Sequence, residues 1–182
     1  MKEFTGFEQR RLDVSLSADG ERLASCGFGG DVIVWDFDSG EVVFRFSGLA
    51  GQTESVALNQ NGSQVVVGSD SHRDDRRLVV LDVDQGEIKQ PIAGHAGTIN
   101  WVRYSPDHRW LVTASRDQTV RLWDAASGDE IGVLRAHHEW VWAGAFLPDG
   151  ERLLTGGVGI AFDDRGADFA LRSWDLRRLK QR

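Results

Sequence analysis

Two sets of residues in this chain are of the types that hydrolytic chemistry uses. The first is His95 with Thr113, Ser115 and Asp117; the second is His137 with Thr155 and Asp168. An imidazole, a hydroxyl and a carboxylate make up a nucleophilic triad, in which the base takes the hydroxyl proton and the acid orients the base. Such a triad needs an exposed nucleophile, an oxyanion hole and a sharp glycine-flanked turn. Thr113 and Ser115 lie instead within Leu111-Val112-Thr113-Ala114-Ser115, which reads as a mid-sheet strand, so structural hydrogen bonding is the better reading. Two acidic stretches invite metal chemistry, Asp70-Ser71-His72-Arg73-Asp74-Asp75 and Asp163-Asp164-Arg165-Gly166-Ala167-Asp168. The first lacks the spaced glycine and terminal glutamate of an EF-hand loop, and no second His or Cys completes a zinc set. A metal-dependent hydrolase at these loops is kept as an alternative; the expectation is no metal and no cofactor. Cys26 has no flanking cation to lower its thiol pKa and reads as a small buried hydrophobe.

The bulk composition narrows the classes further. The chain has 182 residues and a formal net charge of −7, with 41% hydrophobic and 27% charged residues, the balance of a soluble globular protein. An acidic chain is a poor fit to duplex nucleic acid, which needs clustered Lys and Arg to displace counterions. Arg177, Arg178, Lys180 and Arg182 read as a solvated tail. No apolar run approaches the roughly 18 residues of a membrane span. The first residues lack the apolar core of a secretory signal, and a lone cysteine forms no intrachain disulfide. The expectation is a cytoplasmic protein with neither membrane nor nucleic acid as partner.

What must position these residues is a repeat. There are 21 Gly, and seven Trp against one Tyr, which suggests many tight turns and a recurring indole. Turn-forming residues Asp19, Asn61, Asp107 and Asp149 follow one another at steps of 42, 46 and 42. Trp35-Asp36, Leu81-Asp82, Trp123-Asp124 and Trp174-Asp175 follow at 46, 42 and 51. Between these marks lie β-branched runs such as Val65-Val66-Val67 and Thr119-Val120-Arg121-Leu122-Trp123, bounded by Gly, Asp, Asn or Ser. Each unit reads as four short strands, and no amphipathic helix of useful length is present.

The stretch Gly94-His95, Ser105-Pro106-Asp107, Thr113-Ala114-Ser115-Arg116-Asp117 and Val120-Arg121-Leu122-Trp123-Asp124 resembles a WD repeat, the β-transducin-like repeat, in nearly every signature position. The resemblance covers the chain in four units, residues 6–46, 47–92, 93–135 and 136–178 of a single domain 1–182. It implies an all-β fold of WD-repeat β-propeller blades, four per chain, and a non-catalytic scaffold that binds proteins or peptides. It also implies a hydrogen-bonded tetrad in a blade: His95, Thr113 or Ser115, Asp117 and Trp123 in the third unit, and His137, Thr155, Asp168 and Trp174 in the fourth. Thr113 and Ser115 point to the same strand face, so either hydroxyl suits. The first unit has Phe7 and Gly29 in place of the His and Asp, and the second has Leu49 and Leu81 in place of the His and Trp, while Asp75 remains. Those two are expected to rely on apolar packing and to be the softer half.

The insertions fall in one kind of connection. From turn to Trp-Asp mark the interval is 16 residues in units one and three, 20 in unit two and 25 in unit four. Both additions lie between the second and third strands, and insertions on one face of a repeat array commonly mark binding. Residues 71–77, with His72, Arg73 and Asp74, and 160–167, with Phe162, Asp163, Asp164 and Arg165, are the expected partner surface. Arg116, Trp140 and Trp142 are its nearby anchor candidates, with partial core burial as the competing reading for the two Trp.

WD propellers close with about seven or eight blades, and four leave apolar sides and strand edges open. The fourth unit lacks an outer strand, while residues 1–5 read as an orphan outer strand. Exchange of that strand between two chains, giving a homodimeric eight-bladed ring, is one expectation. A fragment of a larger WD-repeat protein with no independent function is the other.

Overall fold

The computed structural model describes residues 2–49, 51–70, 78–135, 137–158 and 170–179. The described residues form fifteen strands in four sheets, with one short 3₁₀ turn at Leu176–Arg178. Sheet one holds β1 (Arg11–Leu16), β2 (Arg22–Gly27), β3 (Val32–Asp36) and β4 (Val42–Phe46). Sheet two holds β5 (Thr53–Leu58), β6 (Gln64–Ser69), β7 (Leu78–Asp82) and β8 (Glu87–Ile92). Sheet three holds β9 (Ile99–Tyr104), β10 (Trp110–Ser115), β11 (Thr119–Asp124) and β12 (Glu130–Arg135). Sheet four holds β13 (Trp140–Phe146), β14 (Arg152–Val158) and β15 (Leu171–Asp175). Each sheet is an antiparallel meander in chain order. These are the four blades the resemblance implies.

Side chains that bind their own backbone set the turns. Asp19 Oδ1 accepts from the Ser17 hydroxyl at 2.5 Å and the Glu21 amide at 3.1 Å. Asp107 repeats this with Ser105 and Arg109, and Asp149 accepts from the Glu151 amide. The same turn needs a left-handed residue, which is Gly20, Gly62 and Gly150 in three sheets and His108 (φ 55°) in sheet three. The Asp that follows the recurring Trp has a separate task. Asp36, Asp82 and Asp124 each accept the amide three residues on, from Ser39, Gln85 and Ser127, and so close the hairpin to the outer strand. This local bond explains why Asp82 persists where the Trp before it has become Leu81.

One irregularity recurs at the period of the repeat. The innermost strand of each sheet carries a β-bulge, at Leu12, Glu54, Asn100 and Trp142. An extra residue on one strand breaks the alternation of faces and re-aims its side chain. None of these four residues is buried.

The chain divides into two compact units, Met1–Ala93 and Gly94–Arg182. In the first, β5 lies against β1 and β2. Its core joins Ala24, Val32, Val34 and Phe44 of sheet one to Val56, Leu58, Val65, Val67, Val79 and Leu81 of sheet two. Polar bonds cross the same junction: Asp13 Oδ2 accepts from the Ser55 hydroxyl and Val56 amide, and Thr53 Oγ1 both accepts from and donates to Gly27. In the second unit, Trp101, Trp110, Val112, Ala114, Val120 and Leu122 pack with Val141, Leu153 and Leu176.

The N-terminal segment differs from the sequence expectation. Residues 2–7 form no strand. They fold back on sheet one, where Phe4 and Phe7 lie 5.9 and 4.8 Å from the Trp35 ring and Phe4 stacks on Phe37 at 5.6 Å. Lys2 donates to the Phe37 carbonyl, and Arg45 to that of Gly6. The aromatic surface around Trp35 outweighs strand propensity and holds the segment on its own sheet. Sheet four has three strands among the described residues.

Candidate functional site

The second unit assembles the third repeat's chemistry-bearing residues into one chain of bonds. His95 comes from the connection before β9, Thr113 from β10, Asp117 from the turn after it and Trp123 from β11. Asp117 Oδ2 lies 2.8 Å from His95 Nδ1, which places the proton on that nitrogen. His95 Nε2, 2.6 Å from Thr113 Oγ1, then accepts the hydroxyl proton, and the same oxygen accepts the Trp123 indole N–H at 2.9 Å. Thr113, not Ser115, supplies the hydroxyl. Ser115 Oγ accepts the Asp117 amide at 3.1 Å and shapes the turn instead.

The electrostatics follow from burial. The His95 imidazole sits below its ordinary value because burial disfavours the charged ring, against the pull of Asp117. Burial alone would raise the Asp117 carboxyl. The bonds from His95, the Thr119 hydroxyl and the Ala96 amide outweigh it and hold the carboxyl well below the usual range. The hydroxyl is 0% exposed and engaged on both sides, so a substrate has no route to it as a nucleophile.

The fourth repeat builds a related set. Thr155 Oγ1 lies 2.8 Å from His137 Nε2 and accepts the Trp174 indole N–H at 2.7 Å. Arg172 Nη1 lies 3.0 Å from His137 Nδ1. Asp168 lies outside the described residues.

The first unit replaces these bonds. In sheet one Ser25 stands at the Thr113 position, but its hydroxyl donates to the Asp13 carbonyl at 2.9 Å. The Trp35 indole N–H goes to the Thr5 carbonyl at 3.2 Å, with the Phe7 ring where a histidine would stand. In sheet two Val67, Leu81 and Leu49 hold the three equivalent places and are all buried in the apolar core. Replacing the imidazole, hydroxyl and indole together by apolar groups leaves no orphan among those three; Asp75, at the carboxylate's place, lies outside the described residues.

The exposed chemistry lies at the junction of sheets three and four. Arg116, in the turn between β10 and β11, places its guanidinium carbon 4.6 Å from the Trp140 ring centre and 5.6 Å from that of Trp142. Its Nε donates to Asn100 Oδ1 at 3.0 Å, and Asn100 Nδ2 donates to the Val141 carbonyl at 2.9 Å. Val141 is fully buried while Trp142, at the bulge, is 46% exposed and Trp140 half-buried. The bulge turns Trp142 outward and lets both indoles reach one cation. Asn100 went unnoticed in the sequence, since a single amide at an inner strand carries no pattern. His72, Arg73, Asp74, Phe162, Asp163, Asp164 and Arg165 lie outside the described residues.

Comparison with known proteins agrees with this architecture. The sequence profile of the WD domain, G-beta repeat, matches residues 2–36, 86–124 and 128–175. The chain is similar to the Uncharacterized WD repeat-containing protein sll1491 of Synechocystis, with 26% identity over 160 residues, 87% of this chain and 44% of that protein. It is 28% identical over 174 residues to the zebrafish (Danio rerio) WD repeat and SOCS box-containing protein 1, covering 88% of this chain and 41% of that one. With WD repeat-containing protein 1 of Bos taurus it shares 29% over 161 residues, 84% of this chain and 26% of the other. The chain thus spans less than half the length of these relatives. The recurring sheets, the hydrogen-bonded His–Thr–Trp sets and the profile match together establish that this chain belongs to the WD-repeat family.

Proposed function

We propose that the chain is a non-catalytic interaction module that presents a propeller face to a protein or peptide partner, with Arg116, Trp140 and Trp142 as anchors. The observation that carries this reading is the exposed indole of Trp142, held against a guanidinium that is itself fixed by Asn100. Trp and Arg are the side chains enriched at binding hot spots. A side chain already held in place loses less freedom on binding, so more of the contact energy appears as affinity. The connections 71–77 and 160–167, which lie outside the described residues, are included in the proposed partner surface on the strength of their added length alone. Membership of a family of repeat scaffolds supports the reading.

The test compares partner capture by the intact chain, Trp142→Ala, Arg116→Ala and a deletion of 160–167. Proteins are quantified on immobilised chain, and each variant's fold is checked by circular dichroism. The expected result is at least one protein whose retention falls about tenfold or more with Trp142→Ala. A retained set that is identical for all four chains counts against the assignment.

A further inference from the structure

The innermost strand of each sheet pairs on one side only, so every second amide on it points away from its neighbour. In sheet two, side chains of the preceding sheet meet these amides. The Val56 amide donates to Asp13 Oδ2 at 3.0 Å, and the Ser55 hydroxyl donates to the same oxygen at 2.6 Å. The Leu58 amide donates to Ser15 Oγ at 3.0 Å. A carboxylate and a hydroxyl from sheet one thus satisfy the open edge of β5.

The register gives the matching positions at the junction of sheets three and four. Val56 and Leu58 lie opposite Val67 and Val65 on β6, and Gly144 and Phe146 lie opposite Thr155 and Leu153 on β14. The Leu147 amide donates to the Arg152 carbonyl at 2.9 Å, so by alternation the Phe146 and Gly144 amides point away from β14. On the facing sheet, Trp101 and Arg103 lie opposite Ala114 and Val112, as Asp13 and Ser15 lie opposite Cys26 and Ala24. Both acceptors are therefore replaced by side chains that can only donate. No side chain among the described residues accepts from the Gly144 or Phe146 amide or from the Trp101 indole N–H. Trp101, Arg103, Gly144 and Phe146 line an open cleft of about 460 Å³. The acceptors of sheet two come from the sheet before it, and the sheet before sheet four is sheet three. Further repeats at either end of the chain leave that pairing unchanged.

We propose that this cleft binds a carboxylate of a partner peptide, in the place that Asp13 fills between sheets one and two. The Gly144 and Phe146 amides donate to it, and the Arg103 guanidinium supplies the opposite charge. Trp101 and Phe146 offer apolar surface to the residue that carries it. The sister junction holds a carboxylate on the equivalent amide, which favours that group over a phosphate. The cleft lies at the far end of β13 from Trp140 and Trp142 and stands independently of the Arg116 reading.

Amide shifts of the 182-residue chain, labelled at glycine and phenylalanine nitrogen, test this. The probes are N-acetyl-leucine, with a terminal carboxylate, and N-acetyl-aspartate methylamide, with a side-chain one. N-acetyl-leucinamide and N-acetyl-asparagine methylamide are the uncharged controls. At least one acid should move the Gly144 and Phe146 amides saturably, with a Kd of about 1 mM, while its control does not. The tighter acid shows whether the peptide presents its terminus or a side chain. Arg103→Ser restores the residue type of sheet one and should weaken binding about tenfold or more, as should Arg103→Gln, which keeps more of the length. Arg135→Ser, an exposed arginine on β12, should change it little. Circular dichroism verifies each fold. Three results each overturn the proposal: no saturable shift with either acid; shifts that the uncharged controls reproduce; or affinity that both Arg103 variants retain or that Arg135→Ser lowers equally.

Discussion

Replacing Thr113 by valine removes one oxygen and strands two buried groups. The hydroxyl accepts the Trp123 indole N–H and donates to His95 Nε2. Trp123 is 1% exposed, and so is the His95 side chain, so water has no access to replace either bond. An orphaned buried polar group costs about 1–3 kcal/mol, or about 2–6 for two. The added methyl returns about 1 kcal/mol through apolar burial. Thr113→Val should therefore destabilise the second unit by about 3 kcal/mol. Thr113→Ser keeps the hydroxyl and loses a methyl, for about 1 kcal/mol. Urea unfolding followed by tryptophan fluorescence and circular dichroism reads the difference. At a slope of about 2 kcal/mol/M, Thr113→Val should lower the midpoint by about 1.5 M and Thr113→Ser by about 0.5 M. The first unit, whose Trp35 bonds to a backbone carbonyl, should unfold as before. Equal losses for the two variants would mean that the bonds through Thr113 contribute nothing beyond its volume, and the network argument would fall.

Two further outcomes follow from the same geometry. Acidification should weaken the second unit in two stages. The buried His95 is held below 6.5 while its unfolded counterpart takes up a proton there, so stability declines as pH falls below about 6.5 and levels off below the folded value. Asp117 lies below 3.8 in the folded chain, so its contribution is present above that pH and is lost as pH falls through the lowered folded value. Melting temperature against pH measures this, and His95→Gln should shrink the upper stage, leaving the part due to His108, whose imidazole burial also holds below its ordinary value. Phe4→Ala should cost the first unit about 1–2 kcal/mol by removing ring contacts to Trp35 and Phe37. It should red-shift Trp35 emission and leave the second unit's unfolding unchanged; an unshifted spectrum would show that residues 2–7 do not cover the indole.

The period of the fold was legible because turn chemistry is local. Asp19, Asp107 and Asp149 bind amides within three residues of themselves, and such bonds leave a fixed mark in sequence. The tetrad hydroxyl was less so, because Thr113 and Ser115 share a strand face. The choice rests on where the His95 and Trp123 rings come to lie, both within reach of the Thr113 hydroxyl, while Ser115 accepts the Asp117 amide, and no residue type announces that placement. The course of residues 2–7 was also hidden. Strand propensity is visible in sequence, but the ring surface of Trp35 and Phe37 that captures Phe4 exists only after sheet one has formed. Arg116, Trp140 and Trp142 were readable as residue types, and the convergence of both indoles on one cation depends on the bulge at Trp142, which no residue type announces.

The bulge recurs at Leu12, Glu54, Asn100 and Trp142. An aliphatic chain, a carboxylate, an amide and an indole stand at one geometric station. The backbone detour tolerates all four because the side chain leaves the interior there. Where the station is exposed, as at Leu12 and Trp142, it can be rewritten without disturbing the sheet, so variation there would diversify the surface while the architecture stays constant; at Asn100 it cannot, because the amide ties Arg116 to the Val141 carbonyl.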